Sequence, residues 1–119
     1  SGLEILAGLR FDPQFGPTIT VGLGGVMSEA LADVATELAP IDRAIAQGMI
    51  DRLRTVRLLG AFRGARPRDR EALVSALVAL GDFAMDAGDL LAELDLNPVI
   101  VLAEGQGCVV VDGAAVLKG

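Results

Sequence analysis

The sequence contains no histidine, and this absence excludes several kinds of site that the chain could otherwise build alone. Excluded are a Ser-His-Asp triad, a zinc ion bound by histidine and a histidine general base. Tryptophan and tyrosine are also absent, and only four phenylalanines occur in a chain that is 52% hydrophobic. The core must therefore be built from leucine, valine, isoleucine and alanine.

Cysteine is nearly absent, because Cys108 is the single one, so no internal disulfide can form and a reducing cytoplasm is the expected location. The net charge of −6 argues against nucleic acid and anionic membrane surfaces as partners. No apolar run approaches the length of a membrane span. The 119 residues suffice for one domain with a modest core. Because Ser1 and Gly2 lead directly into a strand pattern, we expect a domain of a longer polypeptide.

The first forty residues carry strand patterns interrupted by turn residues. Alternating apolar residues predict a strand over residues 3–10, and a β-branched run predicts another over 18–21. Two prolines and a glycine between them, in 12–17, predict a turn. The segment 26–38 is open to two interpretations, a short helix or two short strands broken at Ala32-Asp33. Pro40 ends whichever element precedes it.

Two amphipathic helices are predicted in the middle of the chain, over residues 41–54 and 69–87. Asp69 is a suitable N-cap for the second helix, and Gly88 marks its end. The predicted apolar stripes are Ile41, Ile45, Met49 and Leu53 in the first helix, and Leu73, Leu77, Leu80 and Ala84 in the second. Strands, two helices and a terminal hairpin together predict an α+β fold, with a mostly antiparallel sheet and both helices on one face.

Two segments could contact an anion or could be structurally ordinary. Gly22, Gly24 and Gly25 predict a loop whose backbone amides can approach an anion closely, but a flexible turn between strands explains them as well. Their spacing matches neither the dinucleotide fingerprint nor the P-loop. The segment 55–68 is either a solvated charge run or an anion-contacting patch. Its arginines are Arg57, Arg63, Arg66 and Arg68.

The stretch 93–112 predicts a β-hairpin that gathers oxygen-bearing side chains. Glu93, Asp95 and Asn97 alternate with leucines, which places them on one face of a strand. Pro98 removes a ladder donor, so this strand should lie at an edge or bend there. The residues 114–119 are expected to form a tail.

The hairpin turn sets the register and hence the neighbours of Asn97. A two-residue turn at Gly105-Gln106 predicts Val99 opposite Asp112, with Asn97 diagonally across from Asp112 on the same face. An amide oxygen and a carboxylate so placed can reach one divalent cation. The alternative is an acidic edge strand that ends in ordinary Asn-Pro and Asp-Gly turn chemistry.

Several motifs in the chain resemble a known family. GLEILAGLRFDPQFGPTITVGLGG, LAP, LLGAFRG, AELDLNP and VVVDG, spread over residues 2–116, are similar to the carboxy-terminal half of the ATP-grasp domain in NDP-forming acyl-CoA synthetases. ADP-forming acetate–CoA ligase is one such enzyme, and the family is similar to the β subunit of succinyl-CoA synthetase. DPQFGP followed by GLGG, and LDLNP paired with VDG, are the more specific of these motifs.

The resemblance implies an ATP-grasp lobe of a ligase that exchanges acid, CoA and ATP for acyl-CoA, ADP and phosphate through a phosphohistidine. It implies that Asn97 and Asp112 hold Mg²⁺, with Asp95 as a supporting ligand. It also implies that Gly22, Gly24 and Gly25 face the phosphates or the phosphohistidine.

The resemblance further implies what the chain lacks. The nucleotide-closing second lobe, the phosphorylated histidine and the CoA-binding domains belong to other domains or subunits, so the chain supplies no catalytic residue of its own and should be inactive alone. Arg63 matches the family's RG motif, without an assigned task. The same domain also occurs fused to protein lysine acetyltransferases, where it looks regulatory. A ligand-sensing domain without turnover is therefore the alternative function.

Overall fold

The computed structural model describes residues 2–23, 33–60, 64 and 66–118, and within these residues six strands form one sheet. The strands are β1 (Leu3–Asp12), β2 (Gly16–Leu23), β3 (Val34–Leu38), β4 (Leu91–Val101), β5 (Cys108–Val110) and β6 (Gly113–Leu117). All described pairs are antiparallel, in the order β3-β2-β1-β4-β5, and β6 also pairs with β4. The predicted α+β class with a mostly antiparallel sheet is confirmed.

Two α-helices, α1 (Arg43–Asp51) and α2 (Arg70–Ala87), follow β3 in the described residues, and short 3₁₀ helices occupy Val56–Leu59 and Gly88–Leu90. Asp69 caps α2 as predicted, because its side chain accepts the Ala72 N–H at 3.0 Å. Gly88, with φ of 57°, ends that helix as predicted. Neither helix is long and apolar enough to cross a membrane.

The first helix is shorter than predicted, and one residue of its predicted apolar stripe is exposed. Asp42 is the N-cap and accepts the Ile45 N–H at 2.7 Å, so α1 begins at Arg43 rather than at residue 41. Ile45 is 36% exposed, whereas Ala46 and Ile50 are fully buried. Ile41, Met49 and Leu53, the other residues of the predicted stripe, are buried as predicted.

The core lies between one face of the sheet and the two helices. On β1, Ile5, Ala7 and Leu9 are buried against the helices, while the alternate residues face the other way. The α2 stripe Leu73, Leu77, Leu80 and Ala84 is buried as predicted. No helix of the described residues covers the opposite face of the sheet, and we call it the open face.

One charged side chain is buried among the described residues, and it fixes the start of β3. Asp33 is 4% exposed, and its carboxylate accepts the Arg54 N–H at 2.6 Å, the Thr55 N–H at 3.3 Å and the Thr55 hydroxyl. Burial alone would raise the pKa of Asp33, but these hydrogen bonds and the Arg54 charge hold that pKa below its ordinary value. The contacts tie β3 to the segment that follows α1.

Several predicted boundaries need correction. The tail expected at 114–119 is wrong, since Gly113–Leu117 forms β6 against β4. The turn after β1 is tighter than predicted, because Gly16 and Pro17 already pair with Asp12 and Phe11. Of the ambiguous segment 26–38, the final part is strand β3, and residues 24–32 lie outside the described residues.

Candidate functional site

The hairpin of β4 and β5 has a register two residues away from the predicted one. Val99 pairs with Val110, not with Asp112, and Val101 pairs with Cys108. The reason is the turn, in which the Gln106 N–H donates to the Ala103 carbonyl at 2.8 Å. Gly105, with φ of 85°, therefore takes the third turn position instead of the second.

This register places Asn97 directly across from Asp112. The Asn97 N–H donates to the Asp112 carbonyl at 3.2 Å, between the flanking pairs of Val99 with Val110 and Leu96 with Gly113. The predicted closeness of the two residues is therefore retained, although they are opposed rather than diagonal. Directly opposed residues in an antiparallel pair have side chains about 4.5–5.5 Å apart at Cβ.

A bend at Asn97-Pro98 changes the direction of the side chains along β4. The ladder with β1 shifts there, because Ile5 pairs with Val99 whereas Ala7 pairs with Leu96, so one residue of β1 faces two of β4. The predicted bend is confirmed. The alternative of an edge strand is wrong, since β4 lies between β1 and the β5–β6 segment.

Asn97 faces the open side of the sheet at this bend, and the backbone of Asp112 lies opposite it. Asn97 lines an open-face groove of about 230 Å³ together with Asp95. A Cβ placed on Gly113 would meet the Leu96 side chain at 3.2 Å, on the side of the helices. Asp112 precedes Gly113 but lies between β5 and β6, and it is not among the residues that line this groove. The structure thus brings the three predicted metal-ligating residues to one region of the sheet.

Asp95 sits over a glycine in the neighbouring strand. It pairs with Gly8 of β1, and a Cβ on Gly8 would lie 3.2 Å from Asp95 Oδ1 and 2.9 Å from the Leu94 carbonyl. The absent side chain at Gly8 therefore provides the space that the carboxylate occupies. A larger groove of about 410 Å³ runs from Asp95 across β1 and β2 to Thr36 of β3.

Sequence reasoning missed Arg10, which lines both grooves. Arg10 pairs with Glu93 across β1 and β4, and its Nη2 donates to Glu93 Oε2 at 3.0 Å. The alternation that placed Glu93, Asp95 and Asn97 on one face of β4 applies equally to β1. Knowledge of the β1–β4 pairing, which no local pattern supplies, was needed to bring Arg10 to that face.

The far end of the hairpin is anchored to α2 by Asp69. Its Oδ2 accepts the Gly107 N–H at 2.8 Å, while its Oδ1 caps the helix. The Gly107 hydrogen bond, followed by the one from Ala72, holds the pKa of Asp69 below its ordinary value. Burial, together with the Asp69 charge, raises the pKa of the Cys108 thiol. The raised pKa disfavours the thiolate, which is the reactive form of a cysteine.

The glycines predicted to contact an anion are only partly described. Gly22 lies at the end of β2, where it is buried and pairs with Leu6 and Val34. A Cβ there would lie 2.8 Å from Val34 Cγ1, so packing explains why glycine occupies this position. Gly24, Gly25 and Arg63 lie outside the described residues. Ligand contact by these residues stays a prediction.

The donor set suits a hard cation that the protein binds with few ligands. No group of three Asp, Glu or Cys side chains converges on a metal position within the described residues. Asn97 and Asp112 offer one amide oxygen and one carboxylate, and Asp112 Oδ1 is oriented by the Gly113 N–H at 2.8 Å. Mg²⁺ is commonly held by one or two carboxylates and completes its shell with phosphate oxygens and water. The residues present therefore fit Mg²⁺ that arrives with a nucleotide.

Comparison with known proteins identifies the family to which this arrangement belongs. The chain matches the ATP-grasp domain family over residues 1–117. It belongs to the ATP-grasp family. The resemblance noted in the sequence is thereby confirmed.

Relatives of this ATP-grasp chain are acyl-CoA ligases. It is 42% identical over 118 residues to the β subunit of ADP-forming acetate–CoA ligase II of Pyrococcus furiosus, covering 99% of the chain and 50% of that subunit. It is 38% identical to the ADP-forming 4-hydroxybutyrate–CoA ligase of Nitrosopumilus maritimus, covering 93% of the chain and 16% of that ligase.

A solved structure has the same fold as this chain. It is the acetyl-coenzyme A synthetase 1 of Ca. Korarchaeum cryptofilum, in complex with coenzyme A and Mg-AMPPCP and with its phosphohistidine segment pointing towards the nucleotide binding site. The TM-score is 0.92 at 42% identity, covering 99% of this chain and 54% of that one. The ATP-grasp chain described here thus spans about half the length of the Pyrococcus subunit and of this structure, and a smaller share of the Nitrosopumilus ligase.

Proposed function

We propose that this chain is the metal- and nucleotide-contacting lobe of a cytoplasmic ADP-forming acyl-CoA ligase, in which it forms one domain of a longer assembly. The observation that carries the proposal is that Asn97, which lines a groove on the open face, lies directly opposite Asp112 at the bend of β4. The Korarchaeum relative in complex with Mg-AMPPCP supports it. The relatives reported above are CoA ligases or synthetases, which favours this function over a regulatory domain of an acetyltransferase.

The reaction proposed for the assembly is phosphoryl transfer between ATP and a histidine carried by another part. The bond between the γ-phosphorus and the β–γ bridging oxygen breaks, and that oxygen leaves with ADP, keeping the electron pair. A lone pair of the histidine nitrogen forms the new P–N bond. Acid and CoA are joined elsewhere in the assembly, in a reaction that consumes the phosphohistidine and releases phosphate.

The residues of this chain position the nucleotide for that transfer. Asn97 and Asp112 hold the cation by their oxygens, with Asp95 as a supporting ligand on the same face. Mg²⁺ bound there neutralises charge on the polyphosphate. The open face admits the polyphosphate, and Gly22, Gly24 and Gly25 are proposed to lie toward it. Enclosure of the nucleotide against water falls to the other lobe.

The experiment is a calorimetric titration of the full-length protein with Mg-AMPPCP. Asn97→Ala and Asp112→Ala are each expected to weaken binding about tenfold or more, which corresponds to about 1.4 kcal/mol. Asp82→Ala, which removes an exposed acid from α2, is the matched control and should bind like the wild type. Wild-type affinity in both site variants would refute the assignment.

A further inference from the structure

Arg10 places a positive charge among the oxygen donors of the open face. It follows the buried Leu9 on β1, and its own side chain is 73% exposed on the opposite side of the sheet. Its neighbours across the β1–β4 ladder are Glu93, in direct register, and Asp95, which pairs with Gly8. On β4, therefore, the residues that face this guanidinium are acids.

The groove that Arg10 lines reaches Asn97, one of the proposed metal ligands. Leu6 lies at the level of the Asn97-Pro98 bend, and Arg10 is four positions further along β1. The backbones of Arg10 and Leu6 are therefore about 13 Å apart. The smaller groove is nevertheless lined by Arg10, Asp95 and Asn97 together. A polyphosphate held at Asn97 would enter a groove that Arg10 also lines.

Stability does not account for an arginine at this position. Arg10, the arginine of the ion pair with Glu93, is largely exposed, and exposed ion pairs contribute about 0–1 kcal/mol to the free energy of unfolding. Glu93 is the more buried partner, with 30% of its side chain exposed. A guanidinium carries several N–H donors in a planar fork, and the described contact with Glu93 uses Nη2. The remaining donors can bind a ligand while Glu93 fixes the direction of the side chain.

We propose that Arg10 binds the terminal phosphate oxygens of the nucleotide, and that Glu93 keeps its guanidinium directed into the groove. The proposal rests on the function proposed above. Arginine binds phosphate through paired, charge-assisted hydrogen bonds. Phosphoryl transfer depends on positive charge aimed at the oxygens of the moving group. Asn97 and Asp112 hold the nucleotide through the cation, and Arg10 contacts the phosphoryl oxygens from the other end of the groove.

The test uses the full-length protein and the rate at which it becomes phosphorylated by γ-labelled ATP in a single turnover. Arg10→Gln is expected to slow transfer about a hundredfold, as the loss of one preorganised donor does in other enzymes. Arg10→Lys should recover part of the rate, because lysine keeps the charge but not the fork. Glu93→Gln should slow transfer much less than Arg10→Gln. Arg43→Gln, which breaks an exposed ion pair with Glu71 on the helices, is the matched control and should leave the rate unchanged.

The outcomes separate this proposal from the one on which it rests. Loss of transfer in Asn97→Ala, with wild-type rates in Arg10→Gln, would refute the role of Arg10 alone. Equal losses in Arg10→Gln and Glu93→Gln would also refute it, because they would mark the ion pair itself as the structural requirement. If Arg10→Gln fails to fold, the transfer rates of Arg10→Lys and Glu93→Gln are compared instead. Wild-type rates in Arg10→Lys, or equal losses in the two variants, would again refute the role of Arg10. A wild-type protein that accepts no phosphoryl group from ATP would overturn both proposals.

Discussion

Replacing Gly81 by alanine tests how closely α2 packs against the segment that leads into α1. Gly81 is buried, and a Cβ there would lie 2.9 Å from both Cγ1 and the backbone N of Ile41. Ile41 is itself buried, so its backbone has little room to withdraw. Overpacking of this kind costs about 1–3 kcal/mol. Replacing a helical glycine by alanine returns about 0.5–1 kcal/mol, so we expect a net destabilisation of up to about 2.5 kcal/mol.

The assay is urea unfolding followed by far-UV circular dichroism, with Gly48→Ala as the matched control. Gly48 is also helical, in α1, but a Cβ there would meet no atom within 4 Å. Gly48→Ala should therefore raise the unfolding free energy by about 0.5–1 kcal/mol, in the opposite direction to Gly81→Ala. If both variants were stabilised alike, α2 would not lie against Ile41 as described, and the reasoning would be refuted.

Two further predictions concern Gly8 and Asp33. Gly8→Ala should weaken the binding of Mg-AMPPCP to the full-length protein, because the alanine Cβ would displace the Asp95 carboxylate and press on the Leu94 carbonyl. An unchanged affinity would show that Asp95 does not belong to the site. Asp33→Asn should destabilise the protein by about 1.5–3 kcal/mol at neutral pH, since it loses charge-assisted hydrogen bonds. The pKa of Asp33 is depressed in the folded state, so its contribution is present above the unfolded pKa of about 4 and is lost as the pH falls through the folded value. Wild type and Asp33→Asn should accordingly converge in urea unfolding at acidic pH, and a constant difference between them at every pH would contradict this account.

The elements with strong local signals could be predicted from the sequence. Asp69 and Gly88 mark the ends of α2 by their own chemistry, so that helix was found within one residue of its bounds. The start of α1 was misplaced because Ile41, although apolar and buried, precedes the Asp42 cap. Burial alone does not reveal whether a residue lies inside a helix or just before it.

The pairing of distant strands was harder to predict than the elements themselves. Gly105 suits either the second or the third position of a turn. The position that it takes in the structure shifts the register of the hairpin by two residues from the predicted one. The shift moved Asp112 from a diagonal position to one directly opposite Asn97, so the two residues stayed close. The segment after Asp112 has weak strand signals, and it forms β6 because β4 extends far enough to pair with it. Another long-range pairing, that of β1 with β4, brings Arg10 beside Glu93.

The central claim is that Asp112 contacts the cation that carries the nucleotide, and replacing its hard oxygen by a soft sulfur tests this most directly. In the full-length protein, Asp112→Cys should bind AMPPCP poorly with Mg²⁺ and recover binding with Cd²⁺, because a thiolate prefers the softer metal. The wild-type protein, measured with both metals, gives the reference ratio of AMPPCP affinity with Cd²⁺ to that with Mg²⁺. Recovery with Cd²⁺ beyond that ratio is the predicted result. An Asp112→Cys variant that binds Mg-AMPPCP like the wild type, or gains nothing from Cd²⁺, would contradict the account.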